Sequence, residues 1–234
     1  MPRIARRLSL LFVFALASCM HTATSSSGAA GAQPKPGSWR TLFDGSNTNA
    51  WRGYKMKTMP PAWTIEKGTL TKSKTTEDII TVDEFSDFEF EMDWMLEKGG
   101  NSGLFYRGSE EFERVYWSAP EYQLLDDANA ADGKNRLTSA GSAYGLYAPP
   151  AGIVKPAGQW NHTRIVVKGA HVEHWMNGKK LLEYELWSPD WETKYAASKF
   201  RVWTKYGRAK SGHIAIQGDH NGALSLRNMR IRVL

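Results

Sequence analysis

The sequence predicts an all-β domain, a two-sheet sandwich or jelly roll with one short helix. Three observations carry this. Apolar residues recur at every second position through several segments, the period of a strand with one face buried. Two-residue turns containing Gly join adjacent segments of that kind. Only one stretch combines helix-capping residues with helical spacing.

The elements follow in order. Trp63-Thr64-Ile65 and Thr69-Leu70-Thr71 flank Lys67-Gly68 and read as a hairpin. Phe85 to Leu96 alternates, with Phe88, Phe90, Met92 and Trp94 on one face and Glu89, Glu91 and Asp93 on the other. After Gly99-Gly100-Asn101, Ser102 to Arg107 forms the next strand, and Asn101, Gly103, Phe105 and Arg107 share a face. In Pro120 to Asp127, Glu121 and Gln123 share one face, while Tyr122 and Leu124 point to the core. Thr163 to Lys168 and Val172 to Met176 are joined at Gly169-Ala170. Asn177-Gly178 supplies the φ > 0 pair of a type I′ turn into Lys180 to Tyr184. Ser188 caps a helix with Pro189 in its first turn and Asp190 and Glu192 at its positive end, running to about Phe200. His213 to Gln217 and Leu224 to Val233 close the domain, the last with Leu224, Leu226, Asn228 and Arg230 on one face.

Residues 1–18 stand apart. Arg3, Arg6 and Arg7 precede a short apolar run, Leu8 to Ala17, too short to span a membrane. Leu16-Ala17-Ser18-Cys19 resembles a bacterial lipoprotein signal, in which Cys19 becomes the lipidated first residue of the mature chain. Residues 19–37 are small, polar and rich in Pro and Gly, as expected of a tether, and residues 38–234 form the folded domain. The expected location is the cell envelope, at the outer membrane or facing the periplasm, with the lipid anchor as the only membrane contact. Cys19 is the only cysteine, so the domain has no internal disulfide, no Cys-based zinc site and no Cys nucleophile. The formal charge of +6 falls to +3 when residues 1–18, with three Arg and no acid, are removed. No Lys/Arg-rich run occurs, and export argues against a nucleic-acid partner.

Polar residues collect at four strand ends: Asn101 to Arg107, Glu121 to Asp127, Trp160-Asn161-His162, and Gln217 to His220. Each has an ordinary explanation as a turn or a solvated face, but together they are how a sandwich builds a sugar site. Gly103 leaves room beside Asn101 for a group to approach. The Glu89-Glu91-Asp93 row lacks the spacing of the paired carboxylates of retaining β-glucanases and reads as a solvent-facing strand surface. His174 reads as a packed histidine. Aromatic residues make up 12% of the chain and include ten Trp, a residue often used to stack on sugar rings; most of the ten are expected in the core.

Several stretches occur in the order found in the 3-keto-disaccharide hydrolase family. Among them are TLFDGSNTNAWRGY, GGNSGLFYRG, PEYQLLDD, KPAGQWNHTRIVVKG, SKF and GHIAIQGDHNGALSLRNMRIRVL. The chain resembles that family over nearly all of 38–234. One departure is the loop Gln217-Gly218-Asp219-His220-Asn221-Gly222, where the family pattern is Gln-Asp-His-Gly. The resemblance implies a concanavalin-like jelly roll that cleaves glycosides already oxidised at carbon 3. It points to Glu121, Arg107 and His220 as catalytic groups, with Glu121 as base or metal ligand, Arg107 and Gln123 as enolate or hydroxyl contacts, and His220 as acid/base. Asn101, Gln123, Asp126, Trp160, Gln217 and Asp219 are the expected substrate contacts. A divalent metal could replace Arg107 as the electrophile; its ligands are not defined by the sequence. Two other readings remain open: a non-catalytic carbohydrate-binding module, and a conventional glycoside hydrolase on the same fold.

Overall fold

A computed structural model describes residues 37–234; the expected signal, Cys19 and nearly all of the tether lie outside the described residues. The strands are β1 (Trp39–Phe43), β2 (Trp51–Gly53), β3 (Trp63–Glu66), β4 (Thr69–Lys72), β5 (Ile79–Thr81), β6 (Phe88–Leu96), β7 (Asn101–Gly108) and β8 (Glu121–Leu125). They continue with β9 (Asn161–Lys168), β10 (His171–Met176), β11 (Lys179–Glu185), β12 (His213–Ile216) and β13 (Leu224–Val233), and the one α-helix among the described residues is α1 (Pro189–Ala197).

The strands form two antiparallel sheets. The larger runs β11-β10-β9-β6-β13-β4-β3, with β1 also paired to β13, and the smaller runs β2-β5-β12-β7-β8. This is the expected jelly-roll sandwich. Phe88, Phe90, Met92 and Trp94 from the large sheet meet Leu104, Tyr122, Leu124, Ile214 and Ile216 from the small one in a single buried cluster. Burial of such side chains contributes about 1.5–3 kcal/mol each.

Local chemistry sets the turns. Lys67 and Gly68 have φ of 49° and 77°, and Asn177 and Gly178 have 50° and 80°. Both pairs therefore adopt the left-handed conformations that a tight hairpin between twisted strands requires. At α1, the Ser188 hydroxyl accepts from the Trp191 N–H at 3.2 Å. The helix stops at Ala197, short of the expected Phe200. Ser198 is extended and caps a new 3₁₀ turn, Lys199–Val202, by accepting from the Phe200 N–H at 3.1 Å.

Two bulges reset the alternation. Asn228 has φ of 53°, and the pairing of β13 with β6 slips between Arg227 and Arg230. Leu224 and Leu226 face the core, but beyond the bulge it is Met229 and Ile231 that do so, and Arg230 is exposed. The expected single face of Leu224, Leu226, Asn228 and Arg230 is thereby broken. Arg107, with φ of 54°, does the same on β7, where two residues oppose one between His213 and Ala215.

Glu89, Glu91 and Asp93 face outward from the large sheet, as expected, yet lie largely covered. Glu89 pairs with Arg164 and Arg232, Glu91 with Arg230 at 2.6 Å, and Asp93 with His162 at 2.9 Å and Arg227 at 3.2 Å. Their charges are fully engaged across strands.

Candidate active site

The outer face of the small sheet carries the site. In the register of β7 and β8, Gly103 lies opposite Gln123 and Phe105 opposite Glu121. The Gln217 N–H bonds the Gly103 carbonyl at 2.9 Å, which extends the row across a third strand. Residues directly opposite point to the same face, so Gln217, Gly103 and Gln123 stand side by side. A cavity of about 230 Å³ opens over them, lined by Asn101, Tyr116, Glu121, Gln123, Asp132, Tyr144, Lys199, Phe200, Gln217, Asp219 and His220.

Gly103 is explained by Glu121. A Cβ at Gly103 would lie 2.2 Å from Glu121 Oε1. The group for which glycine leaves room is therefore the chain's own carboxyl, which leans diagonally across β7. Glu121 is buried, and no hydrogen bond from a described residue holds its carboxyl. Burial raises it to about 8, with Asp78, Asp219 and Asp132 adding to the rise and the Lys199 ammonium opposing it. A carboxyl left so exposed to desolvation costs stability and is characteristic of sites that do acid–base chemistry.

Around it, buried polar atoms lack protein partners among the described residues: Asn101 Oδ1, both amide atoms of Gln123, Gln217 Oε1 and Asp219 Oδ1. Buried polar atoms are nearly always paired. Five in one small cavity form a surface suited to a ligand rich in hydroxyl and carbonyl groups. Tyr116, Tyr144 and Phe200 add aromatic walls, and Lys199 Nζ lies 4.4 Å from the Tyr144 ring centre.

The loop from Gln217 to Gly222 is held from beneath. Lys72, fully buried, donates through Nζ to the carbonyls of His220 at 2.7 Å and Gly222 at 2.9 Å. Asp78 accepts from the Gly218 N–H at 2.8 Å, and burial raises its carboxyl to about 6. A Cβ at Gly218 would meet the Glu77 carbonyl oxygen at 2.3 Å. The extra glycine of this loop thus permits close packing on residues 76–77, and Asp219 and His220 still reach the cavity.

Of the residues expected from sequence, the cavity gathers Asn101, Glu121, Gln123, Gln217, Asp219 and His220. Three others lie elsewhere. Arg107 is turned away by its bulge: its guanidinium is buried and bonds the Ser86 carbonyl at 2.8 Å and Asp87 at 3.2 Å. Asp126 accepts from the Gly99 N–H at 2.8 Å and the Asn129 amide at 2.7 Å, and so ties two loops together. Trp160 lies against Arg227, 4.0 Å from ring centre to guanidinium, beside the outward-facing Asp93. Asn161, next to it, is buried and holds a loop by accepting from the Lys155 N–H at 2.8 Å. His174 is fully buried among Tyr106, Tyr122 and Tyr184, and burial lowers it to about 4.

Tyr116, Asp132, Tyr144, Lys199 and Phe200 were not legible as site residues. Only Lys199 and Phe200 carry a sequence signal, the Ser-Lys-Phe stretch of the family resemblance. As for a metal, one His/carboxylate group among the described residues brings three ligand atoms within 4.8 Å of one another: His171, Glu173 and Glu183. It lies on the outer face of the large sheet, with Lys180 Nζ 2.9 Å from Glu173. The cavity carboxylates and His220 do not converge in that way.

The comparisons with known proteins agree with this architecture. The chain is 35% identical to a 3-keto-disaccharide hydrolase of Bacteroides thetaiotaomicron over 226 residues, covering 83% of this chain and 78% of the relative. A candidate glycosyl hydrolase of Parabacteroides distasonis superposes with a TM-score of 0.78 at 30% identity, over 84% of this chain and 94% of its own. A second such protein from the same organism gives a TM-score of 0.70 at 27% identity, over 84% of this chain and 100% of its own. The model of the 3-keto-alpha-glucoside-1,2-lyase-like domain matches residues 38–232. With nearly the whole domain matched and a relative of this similarity, the chain belongs to the 3-keto-alpha-glucoside-1,2-lyase-like family.

Proposed function

We propose that this protein cleaves 3-keto-glycosides, 3-keto-disaccharides among them, by elimination across carbons 1 and 2 followed by hydration. The observation that carries the reading is Glu121: a buried carboxyl, bonded to no described residue, on the floor of a small polar cavity. A carbon 3 ketone acidifies the carbon 2 proton. Glu121 takes that proton, and the electron pair moves to the ketone oxygen as an enolate. The enolate then collapses, forms a carbon 1–carbon 2 double bond and breaks the bond from carbon 1 to the leaving oxygen, which takes up a proton. Water adds back to the resulting 2-hydroxyglucal-type product, hydroxyl to carbon 1 and proton to carbon 2, and yields the free 3-keto-sugar.

This route asks for one base, a donor to the enolate oxygen and an acid for the leaving group. It does not require the matched carboxylate pair of ordinary glycosidases. With Arg107 placed elsewhere, the Lys199 ammonium and the Gln123 amide are the donors available for the enolate oxygen. His220 is the group in the cavity suited to protonating the leaving oxygen. Membership of the 3-keto-alpha-glucoside-1,2-lyase-like family and similarity to the Bacteroides 3-keto-disaccharide hydrolase support this reaction class. We further propose an extracytoplasmic, lipid-anchored location, supported by the signal-like residues 1–19.

The test is turnover of a 3-keto-disaccharide labelled with deuterium at carbon 2, beside its unoxidised parent. Loss of label to solvent, a slower rate with the labelled substrate and no cleavage of the parent are expected. Retained label with equal cleavage of both would overturn the proposal in favour of direct hydrolysis.

A further inference from the structure

The ten tryptophans of the chain sort into three groups. Trp51, Trp63, Trp94 and Trp191 are buried in the core. Trp39, Trp160, Trp175 and Trp187 are half-buried, each with an Arg guanidinium within 6.0 Å of its ring centre. Trp117 and Trp203 remain: both are half-buried, and neither has a cation over its ring among the described residues. They stack on one another, with ring centres 5.9 Å apart and planes 20° apart.

This pair is continuous with the cavity. Tyr116 and Phe200, both cavity walls, contact Trp203 at 5.7 Å and 6.0 Å between ring centres. Val202, beside it in sequence, is 66% exposed. An apolar surface of this kind at the mouth of a polar pocket marks a binding site rather than a packing defect. The cavity itself, about 230 Å³, is below the roughly 300–1,000 Å³ typical of sites that enclose a whole drug-sized ligand. It has room for one sugar ring, so the second ring of a disaccharide must lie outside it.

We propose that Trp203, backed by Trp117, is the subsite for the leaving group, taking a ring with an apolar face such as the second sugar of a disaccharide. This rests on the reading that the cavity holds the 3-keto ring. The C–H face of a pyranose packs on an indole as other apolar rings do. Trp203 then selects for aglycone size and shape without touching the reacting atoms.

The experiment compares a 3-keto-disaccharide with the methyl 3-keto-glucoside, which has no second ring, in the full-length wild type and in Trp203→Ala and Trp203→Phe. Affinity for both is also measured by tryptophan fluorescence in a Glu121→Gln background, where turnover is slowed by about 10²–10⁴. Trp203→Ala is expected to lower kcat/KM for the disaccharide and its affinity by about tenfold or more. The methyl glycoside should change less than about threefold, and Trp203→Phe should recover most of the loss. Equal losses on both substrates, or no loss on either, overturn the subsite. If wild type cleaves neither substrate yet binds the disaccharide through Trp203, the catalytic reading fails and the subsite stands. Cleavage of both with no aglycone selectivity from Trp203 has the opposite meaning.

Discussion

Glu121→Gln separates a working carboxyl from a structural one, because the same change should weaken the reaction and strengthen the fold. Burial raises the Glu121 carboxyl from 4.5 to about 8. Below pH 4.5 the group is neutral in the folded and unfolded chains and has no effect on the balance. Between 4.5 and about 8 only the unfolded chain ionises, so wild-type stability falls as pH rises and levels off above about 8. At about 1.4 kcal/mol per pH unit, the loss is on the order of 3 kcal/mol by pH 7 and 5 kcal/mol above pH 8. Glutamine keeps the shape and does not titrate. It retains a desolvation cost of about 1–3 kcal/mol, so the diagnostic quantity is how the difference grows with pH. Thermal denaturation of both proteins from pH 4.5 to 9 reads this directly, at about 2–4 °C per kcal/mol for a domain of this size. The curves should diverge in favour of the variant as pH rises, while kcat falls by about 10²–10⁴. In the wild type, kcat/KM should rise with pH towards a plateau above about 8, as it must if the ionised carboxyl is the base. Parallel stability curves would show that Glu121 is not held neutral by the fold. A rate that falls through pH 8 would make Glu121 an acid rather than the base.

Four further outcomes test individual residues. Gly103→Ala should displace the Glu121 carboxyl, with which its Cβ would collide at 2.2 Å, and lower kcat by about 10² while the β-rich circular dichroism persists. Arg107→Met should lower stability by about 1–3 kcal/mol through loss of the bonds to Ser86 and Asp87, with kcat unchanged. Lys72→Met should free the carbonyls of His220 and Gly222, loosen the loop and reduce kcat by about tenfold or more, as seen in steady-state rates beside amide exchange at residues 218–222. Cys19→Ser should release the protein from the membrane fraction or leave it unprocessed; membrane association with an unlipidated mature mass would exclude the anchor.

The sequence by itself determined whatever depends on neighbouring residues. Period-two alternation placed Phe88, Phe90, Met92 and Trp94 inside, and put Glu121 and Gln123 on one face with Tyr122 and Leu124 on the other. Lys67-Gly68 and Asn177-Gly178 announced their turns, because few residues accept φ > 0 without strain. Ser188 announced its helix through a hydroxyl that only the first turn can use. Motif order also pointed to the family, and through it to Asp219 and His220 despite the enlarged loop. The tertiary structure decided the rest. Strand order brings β12 and β8 to the two sides of β7, so residues more than a hundred positions apart share one cavity. The bulge at Arg107 turned a plausible catalytic cation into a buried tie to Ser86, since one left-handed residue reverses every side chain beyond it. Asp126 and Trp160 went to loop ties and ion-pair cover for the same kind of reason: their partners, Gly99 and Arg227, are neighbours only after the strands pair. Lys199 and Tyr144 reach the site on irregular segments that have no period to read. Backbone preference is a local energy and is written residue by residue, whereas sheet register and cavity walls come from burial shared among distant strands.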